Sequence, residues 1–261
     1  MSVVAGRFTE LLFFLVALVA TLIPLWLAIK GRKFPLRLLP QIAAISDGVD
    51  RAVETGKPIY ITPGDAAYLS GQYAGMTMAG MNVLRYTARM AVQKGAARVV
   101  FPVPGTPECL PLIDGIYREV CVAAGKPEAY RRENVIFFGT EFAHSVAQAG
   151  MIQREGCGLY VEVGAVGGGG SAVPLSVARE MGGLIVAGTA RYVNNGLLAV
   201  YADYCLFQED IFAAGAYCSD DELVKTSQVG GDLLKILTIG IVLVLIVLAF
   251  AGQPIANWLK V

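Results

Sequence analysis

The segment GAVGGGGS, residues 164–171, comes nearest of any stretch in this chain to a known chemistry. Set against the phosphate-binding pattern G-x-x-x-x-G-K-[ST], Gly164, Gly169 and Ser171 fit, but Gly170 stands where the lysine belongs. The point charge that meets β and γ phosphates is therefore missing. A glycine run entering a helix still offers backbone N–H groups and a positive dipole end, which suits a phosphate or carboxylate. Gly167, Gly168, Gly169 and Gly170 give the backbone the freedom to do this. A flexible turn, or a place where two subunits approach closely, explains such a run more often than a ligand cradle does.

The other reactive residues are scattered. Asp65, beside Gly64, follows an apolar β-rich run; it could bind a metal or a ribose, and more often such an aspartate completes a turn or caps a helix. The glycines after it, Gly71 and Gly75, do not make the dinucleotide pattern G-x-G-x-x-G, so nicotinamide and flavin cofactors have no support. Glu162 interrupts an apolar strand. Buried there, it would hold its proton more tightly and could act in proton transfer; it could equally pair with Arg191 or sit at an exposed strand end. His144 is the only histidine, and a lone histidine is usually structural. Cys109, Cys121, Cys157, Cys205 and Cys218 are far apart and contain no C-x-x-C pair, so they read as small buried hydrophobes. No serine has the G-x-S-x-G setting. We expect no catalytic set, no metal and no cofactor, which leans against an enzyme.

These residues must be carried by alternating strands and helices. The strand candidates are 58–62, 98–103, 134–139, 159–164, 184–190 and 204–208, and glycines 95, 125, 156 and 182 stop the helices between them. Thr106-Pro107-Glu108 reads as a helix start. The helix from Met76 to Lys94 is apolar nearly all round and should be buried on two sides. Apolar strands alternating with helices, without hairpin signals, predict a parallel sheet covered on both faces, of Rossmann-like or flavodoxin-like type. Ligands in such sheets bind at the carboxyl ends of the strands, so the candidate loops are 63–75, 164–171 and 188–191. The candidate ligand residues are Gly64, Asp65, Gly164, Gly167, Gly168, Gly169, Gly170, Ser171 and Thr189.

Two apolar runs flank this body. Leu11–Ile29 carries no charge and is about the ~20 residues that cross a bilayer; the basic residues Lys30, Arg32, Lys33 and Arg37 follow it. By the positive-inside rule the chain after residue 30 is cytoplasmic. A second run, 236–250 and on to 259, is long enough to cross back, with Trp258 and Lys260 as interface anchors. The expected layout is a first span at 1–30, a basic collar and stalk at 31–57, the α/β domain at 58–232, and a second span with tail at 233–261. Only about 17% of residues 38–232 are charged, against ~25% in ordinary domains. So charge-poor a surface points to a homo-oligomer, and the absence of a basic run beyond the collar speaks against nucleic acid.

The phrases GKPIYITPG (56–64), AGKPEAY (124–130), IVAGTA (185–190) and DIFAAGAYC (210–218), set between two apolar runs, resemble a family of prokaryotic membrane-anchored proteins classed only as a domain of unknown function. The resemblance implies an architecture and brings no catalytic residues with it. Two functional expectations follow: a membrane-anchored, self-associating scaffold, or a cytoplasmic-face sensor or enzyme for a small anionic or nucleotide-like ligand held at the strand ends. A dry contact between subunits at those ends favours the first, and ligand density there the second.

Overall fold

The structure, a computed structural model, describes residues 8–32, 39–104 and 107–250. Lys33, Arg37, the Thr106 cap, Trp258 and Lys260 lie outside them. The chain divides into two compact units, one of Arg37–Ser219 and one of Met1–Leu36 with Asp220–Val261.

The larger unit is α/β. Its strands are β1 (Ile59–Thr62), β2 (Val99–Val103), β3 (Val135–Phe137), β4 (Leu159–Gly164), β5 (Leu184–Thr189) and β6 (Tyr204–Phe207). They form one six-stranded sheet in the order β3-β2-β1-β4-β5-β6, with every neighbouring pair parallel. The strand boundaries lie within a residue or two of those read from the apolar runs, because short β-branched runs bounded by glycine, proline and charge leave little room for another register.

Alternation along the strands builds two different cores. Ile59, Ile61, Val99, Phe101, Val103, Leu159, Val161 and Val163 face one way. There they meet α2 (Pro40–Thr55), α3 (Ala74–Lys94), α4 (Cys109–Ala123) and α8 (Asp210–Cys218). Tyr60, Val100, Tyr160, Ile185 and Ala187 face the other way, toward α5 (Glu141–Glu155), α6 (Ala172–Glu180) and α7 (Tyr192–Tyr201). As its composition predicts, α3 is covered on more than one side, packing on β1 and β4 and against α2, α4 and α8. Gly80 allows its close approach: a Cβ there would lie 2.2 Å from the Val163 carbonyl oxygen.

The stretch expected as a stalk behaves differently. Helix α2 buries Ile42, Ile45, Val49 and Ala52 completely, so it is part of the core of the α/β body. Its apolar stripe at i, i+3, i+7, i+10 is the signature of a helix packed on one side. Gly56, at φ 65°, ends it as the sequence predicts.

The smaller unit pairs α1 (Phe8–Ile29), which runs on through Pro24, with α9 (Glu222–Phe250). Gly230 lets them come close, since a Cβ there would meet Thr21 Cα at 3.4 Å. Helix α9 begins well before the apolar run at 236, because Glu222, Lys225, Asp232 and Lys235 continue it without a break. Among the described residues it is the one helix long and apolar enough to cross a membrane, over Glu222–Val247. Phe13–Ile29 of α1 is a shorter apolar segment.

Candidate functional site

The strand order reverses direction between β1 and β4. The chain leaves β1 for α3 on the first face and leaves β4 for α6 on the second, so the two loops diverge and open a crevice at the strand ends. β5 lies next to β4, with Gly164 in register with Thr189. The three loops singled out in the sequence therefore meet at one edge of the sheet. Between them is a cavity of about 330 Å³, lined by Asp65, Ala66, Tyr68, Tyr73, Phe142, Arg191 and the four glycines 167–170.

Backbone hydrogen bonds tie the first two loops together. The amide of Ala66 donates to Ala165 O and that of Ala165 to Pro63 O, each at 2.9 Å. Two glycines make this approach feasible. Gly64 sits at φ 100° and Gly164 at φ 140°; a Cβ would come within 2.3 Å of Ala165 O at the first and 2.4 Å of Pro63 O at the second. Their role is to join the loops, and neither lines the cavity. Asp65 crosses the crevice to accept the amide N–H of Gly167. This bond ties two loops 102 residues apart in sequence, and is neither the local turn nor the helix cap that its sequence setting suggests.

The third loop adds a cation. Arg191 Nη1 donates to the carbonyls of Val166 and Gly167, and its guanidinium lies 5.3 Å from the Tyr73 ring centroid. Asn194 Nδ2 donates to Val166 O at 2.6 Å, so the start of α7 grips the glycine loop from the other side. Thr189 is fully buried, and its Oγ1 accepts the Arg191 amide at 3.3 Å. It shapes the turn and does not line the crevice.

Below the glycine loop lies a polar layer. Glu162 is 2% exposed; its Oε1 accepts from Ser171 Oγ at 2.7 Å and its Oε2 from Tyr160 Oη at 3.2 Å. Gln148 Nε2 of α5 donates to Tyr160 Oη at 2.8 Å. Of the three roles open to Glu162 in the sequence, the structure gives it burial. Burial, and next the charge of Asp65, push its carboxyl up to about 8. Asp65 is also raised by burial, against lowering by the Gly167 amide, the Ser171 hydroxyl and Arg191. Ser171 itself is fully buried, so it serves Glu162 and is not exposed to the crevice. Gly170 must stay small, as a Cβ would meet Ser145 Oγ at 2.8 Å.

His144 is 1% exposed, beside Phe138 and hydrogen-bonded to the backbone of Val103. Burial pushes it down to about 4, so it is neutral at pH 7. Cys109, Cys121, Cys157 and Cys218 are buried thiols, Cys109 Sγ donating to Ala67 O at 3.2 Å, and Cys205 is a half-buried thiol.

Sequence reasoning missed the aromatic wall of Tyr68, Tyr73 and Phe142. The signal was there in the two tyrosines of the glycine-punctuated 63–75 loop, where ring side chains have no strand or helix to fill. Gln148 and Tyr160 were missed as partners of Glu162, although Tyr160 shares its face by the two-residue period of a strand.

No curated protein and no solved structure matches this chain significantly. One family does match, over residues 2–259, and the chain belongs to it: the family described as a domain of unknown function, DUF6754.

Proposed function

We propose that this protein is a membrane-anchored binding protein whose α/β body holds a small anionic, hydroxyl-bearing ligand of nucleotide-like type in the crevice between β1 and β4. The observation that carries this reading is the meeting of three loops at the reversal of strand order, around a cavity with three kinds of wall. The amides of Gly168, Gly169 and Gly170 and the Arg191 guanidinium suit an anionic group, the Asp65 carboxylate suits a hydroxyl donor, and Tyr68, Tyr73 and Phe142 suit a flat ring. The strand order is that of Rossmann-like folds, in which such a crevice takes nucleotides. In this reading α1 and α9 are two spans, and the basic residues after α1 hold the body on the cytoplasmic side.

Thermal unfolding of the full-length protein in nanodiscs, with adenosine 5′-monophosphate, glucose 6-phosphate and inorganic phosphate as probes, tests the proposal. Stabilisation by a probe, lost in Arg191→Ala and Gly168→Pro, supports it. Equal unfolding with every probe up to millimolar concentration counts against it.

A second reading, self-association as a scaffold, has its own support. Phe142 and Val146 of α5, Val173 of α6 and Tyr192, Val193 and Val200 of α7 are all exposed on the second face. Mass photometry in nanodiscs tests it: one subunit mass over a wide concentration range would sink the scaffold.

A further inference from the structure

We infer that Asp65 and Glu162, which meet at the Gly169–Ser171 turn, work as one acid pair that holds a single exchangeable proton beneath the crevice and so sets the charge a ligand meets there. The inference rests on the binding role proposed for this crevice.

The geometry supplies the connection. Ser171 Oγ donates to Glu162 Oε1 at 2.7 Å, and Asp65 reaches the same turn, its Oδ2 lying 3.4 Å from where a Cβ on Gly170 would stand. Glu162 is sealed under the glycine loop, whereas Asp65 lines the cavity. One member of the pair can face a ligand, and the other can only store or release the proton.

A further observation, outside the pair, shows hydrogen-bonding capacity still open at this place. Thr62 closes β1 directly opposite Glu162, on the same sheet face, and is 2% exposed with its Oγ1 unpartnered. His144, also on that face, is 1% exposed with Nδ1 unpartnered. Buried polar atoms are nearly always satisfied, and those left over tend to mark functional sites.

Around the pair, hydrogen bonds from Ser171 and Tyr160 favour an ionised Glu162, while burial and the charge of Asp65 oppose it more strongly. Tyr160 on β4 donates to Glu162, Arg191 from the β5–α7 turn favours an ionised Asp65, and neutral His144 on α5 adds no charge. Burial resists a second negative charge, so near neutral pH one carboxylate is ionised and the other keeps its proton. An ionised Asp65 can then accept a ligand hydroxyl while Glu162 stays neutral. Ionising Glu162 as well sets two negative charges under the anionic part of the ligand and weakens its binding.

Infrared titration of the carboxyl C=O band, on the full-length protein in nanodiscs without ligand, reads the pair directly. The wild type should keep one protonated carboxyl at neutral pH that ionises near pH 8. Glu162→Gln should remove it, and Asp65→Asn should move its ionisation to lower pH. A wild type with no protonated carboxyl above about pH 6, or an Asp65→Asn titration unchanged from wild type, overturns the inference. The wild-type reading stands even where a variant fails to fold.

Adenosine 5′-monophosphate affinity at about pH 7.5 and about pH 9.5 reads the consequence, since the phosphate is fully ionised at both. Binding should weaken about tenfold at the higher pH in the wild type and stay level in Glu162→Gln. Equal affinity at both values in the wild type overturns the pair's control of the site. The expected carboxyl titration without nucleotide binding at either pH supports the pair and overturns the nucleotide reading, so the two failures are distinct.

Discussion

Strand β4 serves two unlike surfaces with alternate residues. Leu159, Val161 and Val163 enter a mainly apolar core under α2, α3, α4 and α8. Tyr160 and Glu162 point the other way, with Thr62 beside them on β1, into a layer of hydroxyls, a carboxyl and an amide. The first face fixes the sheet by burying apolar area. The second gives up some of that area, and in return places titratable and hydrogen-bonding groups beneath the loops that line the crevice. Stability and proposed function are thus separated by the two-residue period of a single strand.

If that division is real, the largest loss of stability should come from the apolar face and be insensitive to pH. Ile61→Ala, at a side chain 1% exposed, should cost about 3 kcal/mol, by the same amount at acid and alkaline pH. Thermal unfolding of the full-length protein in nanodiscs at both pH values checks this. A strongly pH-dependent cost would mean that the two faces are not independent.

A smaller effect is expected where the loops join. Gly164→Ala forces a side chain into φ 140° and against Pro63 O, and should cost about 1–3 kcal/mol. Faster hydrogen exchange confined to residues 63–66 and 164–171 would locate the damage there.

The third prediction carries the sign that separates the faces. Glu162 holds its proton up to about pH 8 when folded and to about pH 4.5 as a free side chain, so between those values the folded state binds the extra proton. Its contribution is fully present below about pH 4.5 and is lost as pH rises toward 8. The slope is about 1.4 kcal/mol per pH unit. Glu162→Gln should flatten that slope and unfold at a higher temperature than wild type above pH 8. A mutant less stable than wild type across the whole range would show that the carboxylate is a favourable partner in its charged form.

The smallest effect belongs to the surface. Lys94 and Asp50 are 2.6 Å apart with partly exposed side chains, and Lys94→Met should change stability by less than about 1 kcal/mol.

The fold was largely legible because its signals are local. Apolar β-branched runs gave the strands, and Gly56, Gly95, Gly125 and Gly156 gave the helix ends. The three candidate loops could be named because strand ends are where such sheets bind, although only the observed order makes β1, β4 and β5 neighbours. What could not be read was long-range. Ser171 returns over Glu162 because a 3₁₀ turn at Gly169–Ser171 follows the loop, and no spacing rule encodes that return. Arg191, a candidate partner for Glu162, turns to the carbonyls of Val166 and Gly167. Helix α2 read as a stalk because its stripe of Ile42, Ile45 and Val49 says that it packs but not on what.

Hydrogen–deuterium exchange of the full-length protein in nanodiscs tests the binding crevice most directly, because it also watches the exposed apolar residues of α5–α7. With adenosine 5′-monophosphate or glucose 6-phosphate added, exchange should slow at 63–75, 164–171 and 188–191 and stay unchanged along α6, along α7 and along α5 beyond its first turn, where Phe142 lines the cavity. Protection that ignores both probes and instead rises with protein concentration on α5–α7 would contradict the binding role and favour self-association.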